Sequence, residues 1–150
     1  MTGLRTIQEF LSDKEIAIAG VSRNTKKFGR GVYDHLIERG YKIYPINPNA
    51  DTIENAVCYP DVASLPDKAK KLLIVTKKDQ TFLLVNQALE KGIKQIWIQQ
   101  MSETKEAIEL VQEHEIDLIT KECILMFAEP VKGGHKFHRF FNKLFGRYPK

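Results

Sequence analysis

Little in this sequence points to covalent or metal chemistry. There are two cysteines, Cys58 and Cys123, too few for a disulfide scaffold and without metal-ligand spacing, so both are expected as thiols. No apolar run approaches the ~20 residues of a membrane span. The first fifteen residues, MTGLRTIQEFLSDKE, are charged and lack the apolar centre of a signal peptide. The expectation is a cytoplasmic protein with no membrane span. Also missing are GxGxxG, H-E-x-x-H, a Walker lysine, a Cys/His pair at informative spacing and paired carboxylates in a clear setting. A binding protein is expected rather than an enzyme.

Acidic residues are absent from 132–150, which hold six Lys and Arg; residues 1–131 carry 17 Lys and Arg against 19 Asp and Glu, net −2. The overall charge of +4 therefore belongs to a basic tail on a near-neutral domain. With 150 residues, 43% of them hydrophobic, the chain can bury one core. The division predicted is a domain over 1–131 and an amphipathic aromatic helix over 132–150. In that helix Phe137, Phe140, Phe141, Leu144 and Phe145 share one face. Docking on the domain, at the Ile124–Phe127 stretch, or across a homodimer is preferred for it. Nucleic acid or a membrane surface is the alternative, and nucleic acid is not the expected partner.

What is present reads as alternating strands and helices. Ile16–Ala19, Tyr41–Ile46, Leu72–Thr76, Ile96–Ile98 and Ile116–Ile119 are short apolar runs suited to strands covered on both faces. A leading helix is expected from Thr6 as cap, and further helices end at Gly40 and Gly92. Asp79 and Ser102 are the predicted starts of the later two, and Phe82, Val85, Ala88 and Leu89 the buried stripe of the first of these. Residues 51–67 are irregular, with an edge strand at Val57-Cys58-Tyr59. The pattern predicts an α/β fold, a Rossmann-like doubly wound parallel sheet of about five strands in three α/β/α layers.

In such sheets ligands bind beyond the carboxyl ends of the strands, where the strand order reverses. The candidates are thus Gly20, Val21, Ser22 and Arg23; Asn47 and Pro48; Thr76, Lys77 and Lys78; Gln99 and Gln100; and Cys123. Glycine loop, helix start and cations, including Lys26, suit a phosphorylated ligand. Asn47 stands where an NAD site carries an acid for the ribose diol, which argues against NAD and leaves NADP open. Cys123 is the one weak catalytic candidate, set against a filler role.

The stretches GVSRNTKKFGRGVYDHLIERGYKIYPINPN, CYPDVASLP, LLIVT and ALEKGIKQIWIQ, with a cysteine after the last strand, resemble the small CoA-binding proteins. These are similar to the N-terminal CoA-binding domain of the succinyl-CoA synthetase α subunit, over about residues 12–125. The resemblance implies coenzyme A or an acyl-CoA as ligand, ahead of NADP. Gly20, Ser22 and Arg23 would lie under the phosphates, Asn47 and Pro48 beside the nucleotide, Thr76, Lys77 and Lys78 at the adenine end, and Gln99 and Gln100 along the pantetheine path. Two positions depart from the family pattern. Met101 replaces a glycine and would narrow the pantetheine approach; Glu122 replaces an arginine and removes a cation from beside Cys123. The alternative is a thiol-dependent enzyme using Cys123 on a CoA thioester or disulfide. The synthetase's phosphohistidine belongs to a second domain that these residues do not match, so its ligase chemistry is not implied.

Overall fold

The structure is a computed structural model; it describes residues 3–130, 134, 139, 142–143 and 146–149. Five parallel strands, β1 (Glu15–Ala19), β2 (Lys42–Ile46), β5 (Lys71–Ile74), β6 (Gln95–Ile98) and β7 (Asp117–Ile119), lie in the order β2-β1-β5-β6-β7. Between β2 and β5 a two-stranded hairpin, β3 (Thr52–Ile53) with β4 (Ala56–Val57), occupies part of the irregular segment. Tyr59 returns from it as a parallel bridge to Ile46 at the edge. Pro45 is accommodated because β2 is an edge strand there.

The chain leaves β1 in one direction and, after β2, continues from β5 in the other. Right-handed crossovers then place the helices on opposite faces. Strand alternation separates the two cores. Ile16 and Ile18 point with Leu73 and Trp97 towards α1 (Leu4–Leu11) and α2 (Phe28–Glu38). Ala17 and Ala19 point with Leu72, Ile74, Ile96 and Ile98 towards α3 (Lys78–Lys91) and α4 (Lys105–Glu113). The doubly wound α/β/α expectation holds.

Several local expectations are corrected. Thr6 lies inside α1, whose cap is Gly3. Lys77, not Asp79, caps α3, and Asp79 falls in its first turn. Thr104 caps α4 through its hydroxyl, which accepts from Ala107 N at 3.2 Å. Ser102 is diverted to the Thr76 carbonyl, donating at 2.7 Å. On α3 the buried stripe is Thr81, Val85 and Ala88, while Phe82 is 45% exposed. The predicted Val57–Tyr59 edge strand is instead the end of a hairpin followed by one bridge.

The face Phe137, Phe140, Phe141, Leu144 and Phe145 lies outside the described residues. Nearby described residues do touch the domain: the Tyr148 ring packs on Phe127 at 5.2 Å, Arg139 pairs with Glu129, and the Asn142 amide meets Met126 Sδ at 3.8 Å.

A tight constraint lies between α2 and the turn after β1. A Cβ on Gly29 would overlap the carbonyl oxygen of Gly20 and come within 3.1 Å of Val75 Cγ2. Gly31, two residues further along the helix, faces open space. Gly29→Ala should therefore destabilise the protein by about 1–3 kcal/mol in urea unfolding. Gly31→Ala should stabilise it by about 0.5–1 kcal/mol, since alanine loses less backbone entropy in a helix. Equal midpoints for Gly29→Ala and the parent protein would contradict this packing.

Candidate functional site

Two clefts open beyond the carboxyl ends of the strands. The first, about 520 Å³, sits over β2, β1 and β5, where the strand order reverses. Its floor is the turn after β1. Gly20 has φ +102, a left-handed conformation that suits glycine, and a Cβ there would meet the Val75 carbonyl at 3.0 Å. The loop beyond is folded by its own short polar side chains. Ser22 Oγ accepts from Asn24 N at 3.0 Å, and Asn24 Oδ1 accepts from Lys26 N at 3.0 Å.

Asn47 ties this loop to the next. Its Nδ2 donates to the Val21 carbonyl at 2.7 Å and its Oδ1 accepts from Asn49 N at 2.8 Å. Arg23 reinforces the tie by donating to the Asn49 carbonyl at 3.1 Å. Beneath them Arg30, 5% exposed, donates to the Arg23 carbonyl at 3.2 Å and pairs with Asp34 and Glu54, whose carboxylates hold its guanidinium charged. The loop is thus pre-shaped by the protein's own bonds.

Helices α2 and α3 both start at this end, and neither has a side-chain cap. Their first N–H groups and positive dipole ends suit an anion. Thr76 Oγ1, in the cleft wall, is buried with no hydrogen-bond partner among the described residues; Glu103 Oε2, elsewhere, is the other such atom. A buried hydroxyl without a partner costs about 1–3 kcal/mol, and a ligand acceptor would relieve that.

The second cleft, about 560 Å³, lies over β6 and β7 and is lined mainly by Phe28, Met101, Cys123 and Met126, with Gln99, Gln100 and Gly134. Gln99 is 3% exposed, and its Oε1 accepts from Ile124 N at 3.2 Å. The Glu122 carbonyl accepts from Trp97 Nε1 at 3.0 Å and from Gln100 N at 3.1 Å, pinning the loop after β7 to β6. Cys123 precedes a 3-10 turn, Ile124–Met126, and is 7% exposed. Met101 and Lys121 hold left-handed backbones at φ +76 and +62, a costly conformation for residues with a Cβ.

The sequence candidates divide between these clefts. Gly20, Val21, Ser22, Asn47, Pro48 and Thr76 line the first, and Gln99, Gln100 and Cys123 the second. Arg23, Lys26, Lys77 and Lys78 stand outside both linings and are exposed. Sequence reasoning did not pick out Asp61, Gln80, Leu83, Leu84 and Gln87, which also line the first cleft. The signal for the last four was available in their spacing, which puts them on one face of α3.

Fold and crevice together define a Rossmann-like α/β domain with a crevice at the switch between β1 and β5, where ligands bind in such sheets. More narrowly, the CoA binding domain family matches residues 14–129, and the chain belongs to it. Among curated proteins it is 32% identical over 90 residues to acetate–CoA ligase (ADP-forming) II of Archaeoglobus fulgidus, covering 59% of this chain and 13% of that one. It is 26% identical over 126 residues to the α subunit of the corresponding Pyrococcus furiosus ligase, covering 77% of this chain and 28% of that subunit. The chain thus spans well under a third of these relatives. A hypothetical protein from Pyrococcus horikoshii OT3 superposes with a TM-score of 0.78 at 31% identity, covering 86% of this chain and 92% of that one.

Glu122 gives a pH test. It is 8% exposed, and burial raises its carboxyl above the usual carboxylate range. A raised folded value means the native state holds the proton more firmly than the unfolded chain. Stability is then highest below the ordinary carboxylate pKa and falls as pH rises through it to the raised value. Glu122→Gln should remove that fall, gaining melting temperature over the parent between acid and neutral pH. Parallel melting curves for the two proteins across this range would contradict it.

Proposed function

We propose that this chain binds coenzyme A or an acyl-CoA and acts as a binding protein rather than a catalyst. The observation that carries the reading is the first cleft. It lies inside the family match, its floor is a glycine turn pressed against the uncapped start of α2, and its wall offers an unpartnered buried hydroxyl. In this reading the pyrophosphate meets the Gly20–Ser22 backbone and the first N–H groups of α2. Thr76 Oγ1 donates to the nucleotide, and Asn47, Pro48 and Asp61 border it. The exposed cations Arg23, Lys26, Lys77 and Lys78 act from the rim on the 3′-phosphate that CoA carries and NAD lacks. Gln99 and Gln100 border the pantetheine arm.

A passive role is supported by how the polar groups are already used. Asp61 is the one carboxylate lining the first cleft among the described residues, and it accepts from Ser64 N at 2.8 Å. Asn47 is bonded at both ends of its amide. General acid–base catalysis needs a titratable group within hydrogen-bond reach of the reacting atom, and these groups serve the fold instead. One observation favours a second reading: Cys123 lines the second cleft, where thiol chemistry on a CoA thioester or disulfide would take place. Unchanged turnover or exchange in Cys123→Ser would remove it.

Titration calorimetry with CoA, dephospho-CoA, NADP, NAD and ATP tests the binding reading. CoA should bind tightest, dephospho-CoA more weakly, and NAD not measurably. A CoA concentration of 100 times Kd should add ~2.7 kcal/mol to unfolding stability. Thr76→Val should cost about threefold to tenfold in CoA affinity, the range of one net hydrogen bond. Lys77→Ala with Lys78→Ala should weaken CoA about tenfold and flatten its salt dependence. NAD binding with no CoA binding would overturn the proposal.

A further inference from the structure

The CoA reading puts the ADP end in the first cleft and brings only the pantetheine arm past Gln99 and Gln100 at the second, whose apolar floor it leaves without an occupant. That second cleft differs in chemistry: among its described lining residues none is charged, and Phe28, Met101, Met126 and Cys123 dominate it. Met126 and Cys123 are buried at 4% and 7% exposure, whereas Phe28 and Met101 stand 51% and 74% exposed. Two large apolar side chains held in water beside an apolar floor suit an apolar ligand that covers them. Met101 keeps this placement from a left-handed backbone position.

The two clefts are joined through α2. Phe28 lines the second, and the next residue, Gly29, rests on the Gly20 carbonyl beneath the first. From the β1/β5 switch to the β6/β7 gap is two strand spacings, about 10 Å. An extended pantetheine arm spans that distance, and its thiol end would arrive over the second cleft.

We propose that the second cleft is an acyl pocket, taking the uncharged, apolar acyl group of an acyl-CoA whose ADP end lies in the first cleft. The inference rests on the CoA reading and deepens it by naming the ligand class. A free thiol is too small to cover Phe28 and Met101, so the pocket favours acylated over free CoA. Methionine adapts its shape to different chains, so short linear and branched acyl groups are both accepted. An acyl group ending in a carboxylate finds no cation among the described lining residues and is disfavoured by the cost of burying an unpaired charge.

Calorimetry on the full chain with CoA, acetyl-CoA, butyryl-CoA, hexanoyl-CoA and succinyl-CoA tests this. Affinity should rise about fourfold per added methylene until the cleft is filled, equivalent to ~0.8 kcal/mol for each. Succinyl-CoA should bind at least tenfold more weakly than butyryl-CoA. Met101→Lys and Phe28→Ala, both at exposed positions that folding tolerates, should each cut the ratio of hexanoyl-CoA to CoA affinity several-fold. Equal affinity of the parent protein for CoA and every acyl-CoA overturns the acyl pocket, as does an acyl gain untouched by both variants. Failure of CoA itself to bind overturns the parent reading, so the two failures are distinguished in one experiment.

Discussion

The site depends on one close approach: helix α2 begins directly on the carbonyl of Gly20, in a space that no side chain at Gly29 could share. That contact sets where the uncapped N–H groups of α2 point. It also fixes the height of Phe28, which reaches over the neighbouring strand ends. Gly20 supports the contact with a left-handed turn that keeps its own backbone against the Val75 carbonyl at the end of β5. The start of α2 is therefore seated by two glycines nine residues apart in sequence, a spacing that GxGxxG does not describe.

Around this contact the loops are stiffened by polar side chains bonded to backbone carbonyls. Asn47 and Arg23 cross-link the turns after β1 and β2, and Arg30 carries the loop from below. Groups spent this way are pre-organised walls, and what remains available to a ligand is backbone N–H, one unpartnered hydroxyl and exposed cations. Such a set suits a phosphorylated ligand, in keeping with the binding role proposed.

Much of the architecture was legible in the chain. The strands are short runs of Ile, Leu, Val and Ala whose burial on both faces leaves them no other place in a small α/β domain. Topology then placed Gly20 to Ser22, Asn47, Pro48 and Thr76 at one crevice. Capping was less legible, because Ser, Thr and Asp bond to whatever carbonyl or N–H the tertiary fold brings close. Ser102 is taken by the Thr76 carbonyl, and Thr104 caps α4 instead. The α3 wall was obscured because Phe82 looks like a core residue, while the helix turns Thr81 inward, where its hydroxyl donates to the Ser102 carbonyl at 2.7 Å. The departures at Met101 and Glu122 were visible as letters, but not that one occupies a left-handed backbone and the other is a buried carboxyl. Both violate local preference beside the second cleft, and such violations concentrate at functional sites.

The central claim is that the cleft over the β1/β5 switch receives the ADP portion of CoA. A crystal structure of the complex with CoA tests it most directly. The pyrophosphate is expected against the backbone of residues 20–22 and the start of α2, with the nucleotide between Asn47-Pro48 and Thr76. Density for the ADP moiety anywhere else on the molecule, with that cleft holding only solvent, would contradict it.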